Sequence, residues 1–243
     1  SNSEQYANGD CYLLTAMNAL FENPDGRNII LNCFKETADG KLTVKLPEGK
    51  FSKNINEIIK EINKNPEQYS KTNLGIKALE YMYGLERFST AIDIKAGKIR
   101  PFESEFAEYV YGIISSGKEI TDEISFREGG WTSEVMAMFG LKTKDIYDSE
   151  IGKYLENQNN WKDTVFTIIT NPTPEGGGDD TYWYKKLDLA GNHAYLLRPR
   201  IEDGKVVADI KNPWHSGKIS CTLTLKDLIS LGCFSKLTCA DVK

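Results

Sequence analysis

Apolar positions recur every three to four residues in the first half of the chain and alternate or cluster in short runs in the second. Leu13, Leu14, Met17, Leu20 and Phe21 form one stripe on a helix over Cys11 to Phe21. Gly9-Asp10 precede that helix as turn and cap, and Asn23-Pro24-Asp25-Gly26 are expected to end it. Residues 28–50 read as short strands at Ile29-Ile30-Leu31, Phe34 and the alternating Leu42, Val44 and Leu46. Helical spacing returns at Ile55, Ile58, Ile59 and Ile62, again over Leu74 to Leu85, and then near 103–116, 131–139 and 151–155. Thr164 to Thr170 is a buried-strand run. Asn171 to Asp180, with two prolines and three successive glycines, reads as a mobile loop. Residues 193–201 and 205–211 predict a hairpin turning at Glu202-Asp203-Gly204. A helix near 224–231 and a strand from Phe234 to Cys239 close the chain. The pattern predicts an α+β protein with a helix-rich lobe over about 1–160 and an antiparallel β lobe over about 161–243.

A length of 243 residues suits one large domain or two small ones. The net charge of −5 offers no general attraction for phosphate backbones, so nucleic acid is not an expected partner. No apolar run approaches the ~18 residues of a spanning helix, so a membrane is not expected either. The polar start, Ser1-Asn2-Ser3-Glu4, does not read as a signal peptide; it reads as the cut end of a longer chain whose other domains are potential partners. Five cysteines, an odd number without Cys-x-x-Cys spacing, exclude a zinc or redox motif and make a disulfide framework an unlikely design. This usage leans towards an intracellular protein, or a secreted effector acting inside a cell.

Cys11 opens an amphipathic helix, where the positive end of the helix dipole favours a thiolate. A cysteine there is also a common small core residue, so the inference needs a partner. His193 and Asn212 supply one. With a two-residue turn at Glu202-Asp203 they become direct cross-strand partners on one face, with Cβ atoms roughly 5 Å apart. An asparagine oxygen can then hold one ring nitrogen while the other takes a proton. Gln5, across the Gly-Asp turn from Cys11, is placed to serve an oxyanion hole. Trp214 is placed to shield the His–Asn bond from water. His215 is the rival base.

Gln5-Tyr-Ala-Asn-Gly-Asp-Cys-Tyr-Leu-Leu resembles the nucleophile motif of calpain-type cysteine peptidases, with Tyr12 where they usually have Trp. Asn192-His-Ala-Tyr195 is similar to their Gly-His-Ala-Tyr, and Asn212-Pro-Trp214 to their Asn-Pro-Trp. Gly129-Gly130 before a helix resembles a further landmark, and the tail from Leu223 to Cys239 their closing helix and strand. The resemblance implies a papain-like fold with the active-site cleft between a helical and a β lobe. It also implies a thiol peptidase acting on polypeptides, with Cys11 as nucleophile, His193 as base and acid, Asn212 orienting the imidazole and Gln5 in the oxyanion hole. Trp183, just past the Gly-rich loop, would lie near a gate to that cleft. Calcium-binding members carry a long acidic, Trp-containing stretch after Asn-Pro-Trp. Here His215 to Cys221 leads quickly to the last helix, so no metal or other cofactor is expected; Asp179-Asp180 is the acidic pair that calcium would have to use, and it reads as a solvated loop. The same thioester chemistry could serve deamidation, transglutamination or self-processing within a longer effector, and a third reading is an inactive scaffold that kept the fold.

Overall fold

The computed structural model describes residues 9–71, 73–158, 160–172, 186–213 and 218–243. The chain is mixed α and β, with two antiparallel sheets, and it divides into two compact units. The first comprises residues 1–13 and 28–140, and the second residues 14–27 and 141–243. The division thus falls near residue 140 and not near 160, because strand β4 (Thr143–Tyr147) pairs along its whole length with the last strand, β9 (Phe234–Asp241). Among the described residues, no helix is long and apolar enough to cross a membrane.

Helix α1 (Cys11–Glu22) buries Leu13, Leu14, Met17 and Leu20 of the expected stripe, but Phe21, its last member, is exposed, being one residue from the helix end. Ile29-Ile30-Leu31, expected as a strand, ends a second helix instead, α2 (Pro24–Leu31). Pro24 sits at the first helical position, where its missing N–H costs nothing, and Asn23 Oδ1 accepts from the amides of Asp25 and Gly26. Helix α1 thus ends at Glu22, where the stop was expected, and the same residues begin the next helix.

In the first unit, β1 (Phe34–Glu36), β2 (Leu42–Val44) and β3 (Lys53–Asn54) form a small antiparallel sheet. Helices α3 (Ile55–Ile62), α4 (Leu74–Lys95) and α5 (Glu105–Ser115) start at Asn54, Asn73 and Ser104, whose side chains each accept a backbone amide of the first turn. Helix α4 runs ten residues past its expected end at Leu85 and buries Glu80, Glu86 and Arg87 as well as Leu79, Met82 and Tyr83. Helix α6 (Thr132–Met138) is buried throughout.

The second unit is built on a six-stranded sheet in the order β4-β9-β5-β6-β7-β8. Here β5 is Thr164–Thr170, β6 Ala194–Glu202, β7 Lys205–Lys211 and β8 Ile219–Thr224. Its core joins Phe166, Ile168, Tyr195, Leu197, Ile210 and Leu237 with Leu155 of α7 (Glu150–Asn157).

The β6–β7 hairpin differs in register from expectation. Its strands pair Leu196 with Lys211 and Glu202 with Lys205, so the turn is Asp203-Gly204. Both residues take positive φ, 49° and 74°, as a type I′ turn requires. A turn at Glu202-Asp203 would force glutamate into that conformation. His193 and Asn212, expected as direct partners, are therefore diagonal neighbours two residues out of register. The shift is even, so they keep a common face.

Candidate active site

In the first unit, Cys11 is half-buried at the first position of α1, and among the described residues none of the five cysteines is disulfide-bonded. Burial pushes the thiols of Cys33, Cys221 and Cys233 up to about 12 and raises that of Cys239, which makes all four poor nucleophiles near neutrality.

Tyr12, next to Cys11, is anchored inside this unit. Its hydroxyl donates to the Phe126 carbonyl at 3.0 Å and accepts from Arg87 Nη1 at 3.2 Å. Arg87 also donates to the carbonyls of Ser125 (3.1 Å) and Gly129 (2.7 Å) and pairs through Nε with Glu134 Oε1 at 3.0 Å. The Arg87 and Glu134 side chains are 1 % and 0 % exposed. Burial alone would lower the Arg87 pKa, but the Glu134 carboxylate beside it reverses that and holds it above its ordinary value. The Gly129-Gly130 pair has a physical reason here. Gly129 has φ +92°, and a Cβ on Gly130 would lie 2.6 Å from the Tyr12 ring.

Asp10 and Glu80 are buried acids of the same unit. Burial raises the Asp10 carboxyl to about 6, against the opposing pull of its own backbone amide and the Arg127 charge. Burial raises Glu80 to about 8, although Ser70 donates to its Oε2 from N (3.1 Å) and Oγ (3.0 Å). A folded pKa above the unfolded value means stabilisation that is full below the ordinary 4.5 of Glu80 and lost as pH rises through about 8. Glu80→Gln should cancel a loss of about 1.4 kcal/mol per pH unit across that window. Denaturant titrations of variant and wild type from pH 4 to 9 should diverge steadily with pH; parallel curves would contradict the assignment.

In the second unit, His193 is 4 % exposed and its Nε2 lies 3.4 Å from Asn212 Oδ1. Burial presses the imidazole down to about 4, opposed by the Asn212 hydrogen bond. The tautomer protonated at Nε2 donates to Asn212 and leaves Nδ1 as the basic nitrogen. Thr170 fixes the His193 backbone on both sides: its Oγ1 accepts from His193 N at 3.0 Å, and its amide donates to His193 O at 3.0 Å. The Tyr195 ring meets the imidazole edge-on at 4.7 Å. Asn192 has φ 51°, a left-handed conformation that glycine, asparagine and aspartate take most readily.

Helix α1 contributes to this unit from Leu14 onward. Thr15 Oγ1 donates to the Ala194 carbonyl at 3.0 Å, and Asn18 Nδ2 to the Pro213 carbonyl at 3.2 Å. Lys211 Nζ reaches both Glu22 carboxylate oxygens at 3.0 and 2.9 Å. Thr15, Asn18 and Glu22 lie on one helix face, so the residues flanking His193 and Asn212 are tied to a single stripe. Cys11 is the preceding member of that stripe, one turn before Thr15.

No protein-family model, curated protein or solved structure matches this chain. The site is read from its own residues. Gln5, Trp183, Trp214, the rival base His215 and the Asp179-Asp180 pair lie outside the described residues. Among the described residues, no group of three or more His, Cys, Asp or Glu is arranged to hold a metal ion. Sequence reasoning did not single out Thr15, Asn18, Thr170, Arg87 or Glu134. The spacing of Thr15 and Asn18 from Cys11, four and seven residues, was the available signal for two of them.

Proposed function

We propose that this chain is a cysteine peptidase of the papain-like, calpain type, hydrolysing peptide bonds through a thioester. Cys11 is the nucleophile, His193 the general base and acid, and Asn212 the residue that orients the imidazole. Gln5 as an oxyanion-hole donor, Trp214 as a shield and a polypeptide substrate rest on the motif resemblance. The observation that carries the reading is the polar stripe of α1. The helix that begins with Cys11 is hydrogen-bonded, within the second unit, to the residue after His193 and to the residue after Asn212.

In this reading His193 Nδ1 takes the Cys11 thiol proton, and Sγ attacks the scissile carbonyl carbon. Proton transfer from thiol to imidazole creates an ion pair with no net charge, which offsets the burial that disfavours an isolated imidazolium. The tetrahedral intermediate collapses to a thioester, and His193 returns the proton to the leaving amine. Water, deprotonated by His193, then attacks the thioester. The acid is released and the thiol restored, so the cycle consumes one water and needs no redox partner.

Alkylation by iodoacetamide between pH 4 and 9, read residue by residue by mass spectrometry, tests this. Cys11 should label at acidic pH, well ahead of the four thiols that burial raises, and His193→Ala should abolish the advantage. Labelling of Cys11 at the pace of the others, indifferent to His193, would overturn the proposal.

A further inference from the structure

His193 and Asn212 stand at the ends of their strands, one residue outside β6 and β7, next to the described cross-strand pair of Leu196 with Lys211. Their contact of 3.4 Å is at the long end of hydrogen-bond geometry, where a shift of a few tenths of an ångström breaks it. Side chains from other elements bind both strand ends. On the histidine side, Thr170 grips the His193 backbone and Thr15 the carbonyl of Ala194. On the asparagine side, Pro213 has no N–H to give, and its carbonyl accepts from Asn18.

The two helix residues are unusual in their bonding. A helical threonine commonly turns its hydroxyl back to the carbonyl four residues earlier, here Cys11. Thr15 points its proton at Ala194 instead. Thr15 is fully buried, so its hydroxyl has no solvent alternative. The Asn18 amide, three residues on, repeats the arrangement at Pro213, and Glu22 with Lys211 completes the row.

We infer that Thr15 and Asn18 are positioning residues, which set the His193–Asn212 distance by tying both strand ends to the helix face that carries Cys11. The inference rests on the peptidase reading for its effect on rate, but not for its effect on the histidine. Loss of either tie should loosen the Asn212 hydrogen bond. Because that bond raises the His193 pKa, loosening it should lower the imidazole titration further.

The experiment is an NMR titration of the His193 side chain, identified by its absence in His193→Gln, run beside peptidase kinetics. Asn18→Leu and Thr15→Val remove the donors at nearly constant volume; Asn18→Gln and Thr15→Ser keep one. The donor-deleting variants should lower the His193 pKa by about half a unit to one unit, and Asn212→Ala should do the same. They should lower kcat roughly ten- to a hundredfold at near-constant KM, and Thr15→Ser should restore both quantities. Asn18→Leu combined with Asn212→Ala should be no worse than Asn212→Ala alone, because both act through one bond.

An unchanged His193 titration in a folded Asn18→Leu protein would overturn the inference, as would losses that multiply in the double variant. A shifted titration in a chain without peptidase activity would leave the positioning intact and sink the peptidase reading instead. If Asn18→Leu does not fold, Thr15→Val against Thr15→Ser decides the same question.

Discussion

Cys11→Ala should remove peptide hydrolysis to the limit of detection, a loss on the order of 10⁴-fold or more in kcat, because no thioester can form without the thiol. His193→Ala should be nearly as severe, and the double variant no worse than either single one, since nucleophile and base act as a unit. Asn212→Ala should be milder, on the order of 10²-fold, because it misplaces the imidazole without removing it. The ordering matters more than any single value. A scaffold protein would show no activity to lose. A deamidase or transglutaminase would show the same ordering with ammonia release from glutamine in place of chain cleavage, so the assay should follow both products on one polypeptide substrate. Proteolysis that survives Cys11→Ala would refute the assignment of the nucleophile.

Much of the fold was legible before the structure, and the misreadings have physical causes. The stripe on α1, the buried run of β5 and the hairpin around residue 203 were visible because period and turn chemistry agree there. Ile29 to Leu31 misled because an apolar triplet fits strand or helix equally; the decision lay upstream, in Asn23 and Pro24. Strands β4 and β8 went unread because they are the two edges of the sheet, and each buries a single side chain, Ile146 and Leu223. The hairpin slipped by two because the choice among Glu202, Asp203 and Gly204 rests on which pair tolerates positive φ. At the site, His193 and Asn212 were found through their spacing and shared face, and an even register error does not disturb that relation. Thr15, Asn18 and Arg87 were missed for a different reason. Polar residues in helical segments read as solvent-facing until their distant partners are known, and the carbonyls of Ala194, Pro213 and Gly129 carry no sequence signature.

Arg87→Leu should destabilise the first unit by about 3–5 kcal/mol, the range for removing one partner of a buried ion pair. The size follows from what is left behind. Glu134 would be left at 0 % exposure without the Arg87 guanidinium, and the Ser125 and Gly129 carbonyls would lose a donor. Arg87→Lys keeps the charge but not the planar fork that reaches Glu134, Tyr12, Ser125 and Gly129 together, so it should recover only part of the loss. Arg87→Leu with Glu134→Leu should recover more than Arg87→Lys, since removing both charges removes the desolvation penalty as well. Urea denaturation, with amide exchange across α4 and residues 125–134, measures all three. If Arg87→Leu costs under about 0.5 kcal/mol, the range of ordinary surface substitutions, the ion pair does not hold this unit together. The series also separates folding from chemistry. Tyr12 follows Cys11 directly and its hydroxyl is held by Arg87 and Phe126. Arg87→Lys, if folded, should therefore slow the acid-pH alkylation of Cys11.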